Sequence, residues 1–357
     1  MRPLQRILDL AALAHNRREL QRRAGARRLL AVVKANAYGH GVEALRPVLD
    51  EVPLLAVAAI DEALQLRALG YRQPVLLLEG FFHRDEAPLA AAENFWPCLH
   101  NEEQWALIPA GTALTVWLKL DSGMHRLGFD GPGYERARQL LAQRPEWRLR
   151  GLLSHFHRAD EADLGPSRAQ RDGLKRFVPP AGVERSFSNS AALLALEDVE
   201  EEWVRPGLAL YGLSPFAASV GADFNLRPVM TLRTEVIATH RLEAGDRAGY
   251  GGQFEAPTAG TLATIALGYG DGFKREIVPG RVRLRLNGRL YPLVGRVAMD
   301  MSLLWLGADT ARPGDEVIIF GADNPAETLA AALDTIPYTL STTLTARVAT
   351  VLRPAGD

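Results

Sequence analysis

From residue 29 to residue 211 the chain repeats one unit, an apolar run of strand length followed by a stretch with helical spacing. The runs are Leu29–Val33, Leu54–Ile60, Pro74–Leu78, Phe95–His100, Leu114–Leu120, Leu149–Phe156, Arg185–Ser188 and Val204–Tyr211. Between most of them lie helical patterns: Gly41–Asp50, Glu62–Leu69, Glu102–Leu107, Tyr134–Leu141, Ser167–Phe177 and Ala191–Leu196. Short continuous apolar runs separated by helices are strands buried on both faces, the mark of parallel βαβ units. Eight of them in about 200 residues predict an α/β fold, a (β/α)8 TIM barrel.

After about residue 225 the texture changes. Val229–Thr239, Thr261–Leu267, Val282–Leu286, Leu290–Val294, Ser302–Leu306 and Glu316–Phe320 read as strands, and only Ala326–Leu333 reads as a helix. Asn287-Gly288 lies between two of these runs and predicts a two-residue hairpin with a type I′ turn. A barrel over residues 1–225 followed by a mostly-β domain over 226–357 is therefore expected.

Charge narrows the partners. With 41 basic against 42 acidic side chains there is no positive excess to hold a phosphate backbone, so no nucleic-acid partner is expected. No apolar run approaches the ~20 residues of a membrane helix. Arg18, Arg22, Arg23, Arg27 and Arg28 break up the N-terminal segment, unlike a signal peptide. A single cysteine, Cys98, makes no internal disulfide and fits a reducing, cytoplasmic setting.

Barrel chemistry gathers where strands end. Those ends supply Lys34, Asp61, Glu79, His100, Asp121, His155, Asn189 with Ser190, and Arg205 with Gly207. Lys34 closes the run Leu-Leu-Ala-Val-Val. A lysine there either snorkels out of the rim or, desolvated, becomes a nucleophilic amine suited to a Schiff base with a carbonyl cofactor. Asn189-Ser190 and Pro206-Gly207 follow the last two strands, the usual phosphate site of such barrels, although a helix cap and a turn would use the same residues. His155-Phe156-His157 with Asp160 is also a possible metal pattern, but no wider histidine–acid cluster accompanies it beyond His100 and Asp121. No metal site is expected.

The segment Ala31-Val32-Val33-Lys34-Ala35-Asn36-Ala37-Tyr38-Gly39-His40-Gly41 resembles the pyridoxal-phosphate segment of alanine racemases. The resemblance continues through Asp121-Ser122-Gly123-Met124-His125-Arg126-Leu127-Gly128, Ser188-Asn189-Ser190-Ala191, Arg205-Pro206-Gly207-Leu208, Tyr250-Gly251, Gly268-Tyr269-Gly270-Asp271-Gly272 and Gly295-Arg296-Val297-Ala298-Met299-Asp300-Met301. These motifs run in order through both expected domains.

The resemblance implies a cytoplasmic racemase that interconverts L- and D-alanine on pyridoxal 5′-phosphate, for peptidoglycan metabolism, as a head-to-tail homodimer with shared active sites. It makes Lys34 the Schiff-base lysine and one of two proton carriers. Tyr250 from the partner subunit is the other. Racemisation removes a proton from one face of the α-carbon and returns one to the opposite face, so a group on each side is the simplest arrangement. Tyr38, Asn189, Ser190, Gly207 and the Leu208 N–H match positions around the cofactor and its phosphate. Arg205 matches the arginine facing the pyridine nitrogen, with His155 hydrogen-bonded to it. An arginine is charged and donates, so it does not help protonate that nitrogen as a carboxylic acid would. Arg126 matches the arginine that contacts the cofactor's phenolate oxygen and the substrate carboxylate, a task suited to a guanidinium fork. Met299, through its N–H, and its neighbour Asp300 complete the substrate site from the partner. Lys119 matches a lysine carbamylated in many members, the plainer reading being an ion pair with Asp121. Asp160, Tyr269 and Arg296 match residues lining the access corridor. Ala346 departs from the pattern, standing where some members have a gating tyrosine, which implies a wider inner gate. A broader racemase acting on serine or lysine, and a non-catalytic pyridoxal-phosphate carrier, are the alternatives; a carrier has no use for the second domain.

Overall fold

The computed structural model describes residues 2–353. Its contacts divide the chain into two units. One comprises Ala14–Leu210 with Pro215–Ala217; the other takes the residues up to Leu13, Tyr211–Ser214, and the chain from Ala218 onward. The N-terminal residues therefore join the second unit, and the chain returns to it after Leu210.

The first unit is the barrel. Strand β1 (Gln5–Asp9) lies in the second unit, and the barrel strands are β2 (Arg28–Val32), β3 (Leu54–Val57), β4 (Val75–Leu77), β5 (Phe95–Leu99), β6 (Leu114–Lys119), β7 (Trp147–Leu153), β8 (Glu184–Ser186) and β9 (Trp203–Val204). All eight predicted runs are strands, most of them shorter than the apolar run that signalled them. They pair in parallel in the order β8-β7-β6-β5-β4-β3-β2-β9. Backbone bonds from Glu202 N–H to the Arg185 carbonyl (3.1 Å) and from Arg205 N–H to the Ser188 carbonyl (2.9 Å) bring β9 against β8 and close the ring. Packing inside depends on local size: Trp117 on β6 is fully buried opposite Gly151 on β7, where an added Cβ would lie 2.5 Å from its ring. The six predicted helices form, and two others were not anticipated, Leu10–Ala24 and Glu86–Ala92.

The second unit is built on antiparallel pairing. It contains β10 (Met230–Leu242), the small hairpin β11 (Arg247–Ala248) and β12 (Phe254–Glu255), β13 (Gly260–Ile265), β14 (Arg283–Leu286), β15 (Arg289–Val294), β16 (Ser302–Gly307), β17 (Glu316–Phe320) and β18 (Ala349–Arg353). Its main sheet runs β13-β16-β15-β14-β17-β10-β1-β18, with β1 antiparallel to β10 and parallel to β18. Leu286 pairs with Arg289 across a two-residue loop, and Asn287 and Gly288 both have positive φ, the geometry a type I′ turn requires. Helix Ala326–Ala332 matches its expectation, and a second helix, Pro337–Thr342, follows it with proline at its start. No helix among the described residues is long and apolar enough to cross a membrane.

Candidate active site

Lys34 stands two residues past the end of β2 and opens a segment of uncommon backbone conformation. Ala35, Asn36, Ala37 and Tyr38 all have φ between 51° and 55°, so the chain makes a left-handed turn before Gly39. For residues with a Cβ this costs roughly 1–2 kcal/mol each. The turn persists because its polar groups are answered. Ala37 N–H bonds the Val33 carbonyl (2.8 Å), Gly39 N–H the Ala35 carbonyl (2.9 Å) and Gly41 N–H the Asn36 carbonyl (2.9 Å). The Asn36 side chain accepts from Val42 N–H (2.9 Å). His40, fully buried, places Nδ1 3.0 Å from the Ala37 carbonyl and 3.1 Å from that of Tyr38, so Nδ1 carries the proton. The turn buries Tyr38 and brings its hydroxyl to Gly207, where an added Cβ would lie 2.4 Å from Oη.

The cradle at β8 and β9 is built from backbone and one hydroxyl. Asn189 caps the helix Ser190–Ala195 by accepting from Ala192 N–H (2.9 Å). Ser190 Oγ accepts from Gly207 N–H (3.0 Å) and Ala209 N–H (3.2 Å). Leu208 N–H lies between those amides at the first residue of a 3-10 turn, a position with no carbonyl of its own turn to reach. The cap therefore uses the Asn189 side chain and leaves the Ser190 hydroxyl to the amides after β9.

Arg205 is buried, and its guanidinium donates to the carbonyls of Ser186 (2.6 Å) and Ser154 (2.6 Å) and to Ser186 Oγ (3.1 Å). Burial pulls its pKa down to about 10, against the opposing pull of Glu201, so it stays charged at neutral pH. Its Nη2 also faces His155 Nδ1 at 3.3 Å, while the Asn189 amide faces His155 Nε2 at 3.3 Å. Burial, then Arg205, Arg126, Lys119 and Lys34, hold the His155 pKa well below its usual value, so the ring is neutral. His157 turns away to Gln170 (2.8 Å). Among the described residues neither histidine joins a group of three or more possible metal ligands.

Lys119 is buried at the end of β6, and burial lowers its pKa, with Cys98 opposing and Arg205, Arg126 and Lys34 adding to the effect. Asp121 is not its partner. That carboxylate accepts from Gly123 N–H (3.0 Å), His125 N–H (3.0 Å) and His125 Nδ1 (2.9 Å), shaping the loop that carries Arg126. Burial raises the Asp121 pKa, but these bonds outweigh it and leave the pKa lowered. Among the described residues no carboxylate ion-pairs with Lys34, Lys119 or Arg126. Four cations thus converge on the barrel mouth with no bonded counter-ion. Asp160 is exposed on the loop after β7, and Asp61, expected at a strand end, lies instead in the first turn of the helix Ile60–Ala68, while Glu79 and His100 follow β4 and β5, with His100 Nε2 3.2 Å from the Glu79 carbonyl.

Tyr250, Tyr269, Arg296, Met299 and Asp300 belong to the second unit. Tyr250 is 68% and Met299 52% exposed. The loops at 268–272 and 298–301 are zipped together: Tyr269 N–H bonds the Ala298 carbonyl (3.0 Å) and Gly270 N–H the Met299 carbonyl (2.9 Å). Two arginines missed in the sequence brace them. Arg2 reaches the buried Asp271 carboxylate (2.7 Å) and the Asp300 carbonyl (2.5 Å), and Arg347 donates to Asp300 Oδ1 (2.5 Å). The Asp300 carboxylate is therefore engaged in holding Met299 in place. Ala346 is exposed next to Arg347.

A strand-end lysine, a hydroxyl-and-amide cradle and an uncompensated cation cluster, on a barrel followed by a β unit, define a barrel enzyme with an anion site. Residues 8–215 match the alanine racemase N-terminal domain family and residues 229–352 the alanine racemase C-terminal domain family. The alanine racemase of Dichelobacter nodosus is 44% identical over 353 residues, 98% of each chain. That of Aeromonas hydrophila is 42% identical over 348 residues, 96% of this chain and 97% of its own. The crystal structure of a biosynthetic alanine racemase from Pseudomonas aeruginosa superposes with a TM-score of 0.94 at 36% identity, covering 99% of this chain and all of that one. The chain belongs to the alanine racemase family.

Proposed function

We propose that this protein interconverts L- and D-alanine on pyridoxal 5′-phosphate, with Lys34 and Tyr250 as the two proton carriers. The observation that carries the reading is the cation group at the barrel mouth. Lys34, Lys119, Arg126 and Arg205 lack a bonded carboxylate among the described residues, an arrangement that favours an anion among them. A phosphate monoester and an amino-acid carboxylate are such anions.

The residues present fit that cofactor. Lys34 would carry it covalently, Tyr38 with the Ser190–Leu208 cradle would hold the phosphate, and Arg205 would face the ring nitrogen. When bound, the cofactor supplies an electron sink that acidifies the substrate α-proton. Arg205, pinned by carbonyls and still charged, keeps that sink weak, which favours proton return over side reactions. Arg126 receives the substrate carboxylate. Lys34 moves the proton on the D face and Tyr250 on the L face.

Because Tyr250, Tyr269 and Met299 stand exposed in a single chain, we assign them to a partner's site in a homodimer. Lys119, buried among cations with no ion-pair partner, is assigned as a carbamate, which would supply the missing anion. Its native mass is expected to exceed the sequence mass by one carbon dioxide, an increment lost on acid denaturation; a native mass without it rejects the modification. The reading is a cytoplasmic enzyme, consistent with a buried thiol whose pKa burial raises to about 11.

Incubating L-alanine with the purified protein and pyridoxal phosphate tests the function. D-Alanine is expected to accumulate to an equal mixture on a chiral column, and no D-alanine with cofactor bound would reject it. The cradle has its own test. Gly207→Ala puts a methyl group where the Tyr38 hydroxyl lies, and the tyrosine ring must swing as a whole to clear it. The variant should bind cofactor at least about tenfold more weakly, the value of one charge-assisted hydrogen bond, with little change in Tm.

A further inference from the structure

The left-handed turn after Lys34 is braced from the connection that follows β3. Glu62 sits in the first turn of the helix Ile60–Ala68, which follows β3 and whose preceding residue, Ala59, offers no side-chain cap. Its carboxylate divides between two backbone donors. Oε1 accepts from Ala35 N–H at 2.6 Å, and Oε2 accepts from Ala58 N–H at 2.7 Å. One side chain thus ties the peptide joining Lys34 to Ala35 to the end of the adjacent strand. Ala35 is the first of the four non-glycine residues with positive φ.

We propose that Glu62 is a positioning residue: it latches the left-handed turn so that Lys34 and Tyr38 are presented together to the cofactor. Glutamine cannot replace it, because the amide keeps one acceptor and turns a donor toward the other N–H. Aspartate is one methylene too short to span both strand ends. Released, Ala35 drifts toward right-handed φ and carries the lysine and the tyrosine out of register.

The latch rests on the proposed cofactor, and its test has one readout independent of it. Ala35 is exposed in the single chain, and comparing its amide exchange in the wild-type homodimer with that in the Glu62→Gln homodimer separates the bond to Glu62 from cover by the partner. In the cofactor-free wild type that amide is expected to exchange at least about a hundredfold more slowly than an unprotected one, and in Glu62→Gln at nearly the unprotected rate. With cofactor, Glu62→Gln should raise the Kd for pyridoxal phosphate about tenfold and lower kcat, with KM for alanine unchanged within about twofold. Adding Ala35→Gly should recover part of the cofactor affinity, because glycine takes positive φ without a Cβ penalty. An unprotected Ala35 amide in the wild type overturns the latch, even if Glu62→Gln fails to fold. So does a Glu62→Gln protein with wild-type Kd, or one whose defect is the same with and without Ala35→Gly. A wild type that holds the amide but binds no cofactor overturns the functional reading instead.

Discussion

Replacing Lys34 by alanine is expected to leave a folded protein whose racemisation falls at least about 10,000-fold, to the blank of a chiral assay. Two losses combine. The covalent attachment point goes, and so does the group that moves the proton on the D face, which alone is worth about 100- to 10,000-fold. Stability should move the other way. Lys34 ion-pairs with no carboxylate among the described residues and shares the barrel mouth with Lys119, Arg126 and Arg205. No ion pair among the described residues is lost with the Lys34 side chain, which shares the barrel mouth with Arg126 and Arg205, so the Tm of the cofactor-free protein should be unchanged or higher. A lysine that only snorkelled from the rim would give the opposite pair of results: activity kept, and a small loss of packing.

The barrel was legible because strands buried on both faces leave continuous apolar runs that survive without knowledge of partners. Helix Leu10–Ala24 escaped for a local reason. Its buried residues are Ala12, Leu13, Asn16, Glu19, Leu20 and Ala24, a helical spacing interrupted by two polar residues, and the Asn16 amide is accommodated inside by the Leu210 carbonyl (3.1 Å). Strands β1 and β18 escaped for a global one. β1 pairs with β10 and with β18 across more than two hundred residues, and β18 is exposed throughout, so no burial alternation marks it. Among site residues, strand-end positions could be read because barrel geometry says where chemistry gathers. The left-handed turn could not. Asn36 tolerates positive φ, but Ala35 and Ala37 carry no signal for it, and the handedness is decided by bonds to Val33, His40, Val42 and Glu62. Arg2 and Arg347 were equally silent, since their partners Asp271 and Asp300 are distant in sequence.

Tyr250→Phe is expected to lower kcat/KM for racemisation by about 100- to 10,000-fold, and by the same factor starting from either enantiomer. The equality is required: enantiomers have equal free energy, so the equilibrium constant is one and kcat/KM in the two directions must stay matched. A rate assay therefore cannot say which face Tyr250 serves, but isotope exchange can. With Lys34 intact on the D face, the variant should still remove the α-proton of D-alanine and return one from solvent to the same face. In heavy water the α-proton signal of D-alanine should fade with configuration retained, while L-alanine keeps its signal over the same period. The wild type, with both carriers, should exchange and racemise both enantiomers together. Phenylalanine keeps the ring and loses only the hydroxyl, and Tyr250 is mostly exposed in the single chain, so Tm should hold. Racemisation at the wild-type rate would remove Tyr250 from the reaction. Exchange confined to L-alanine would reverse the assignment of the two faces.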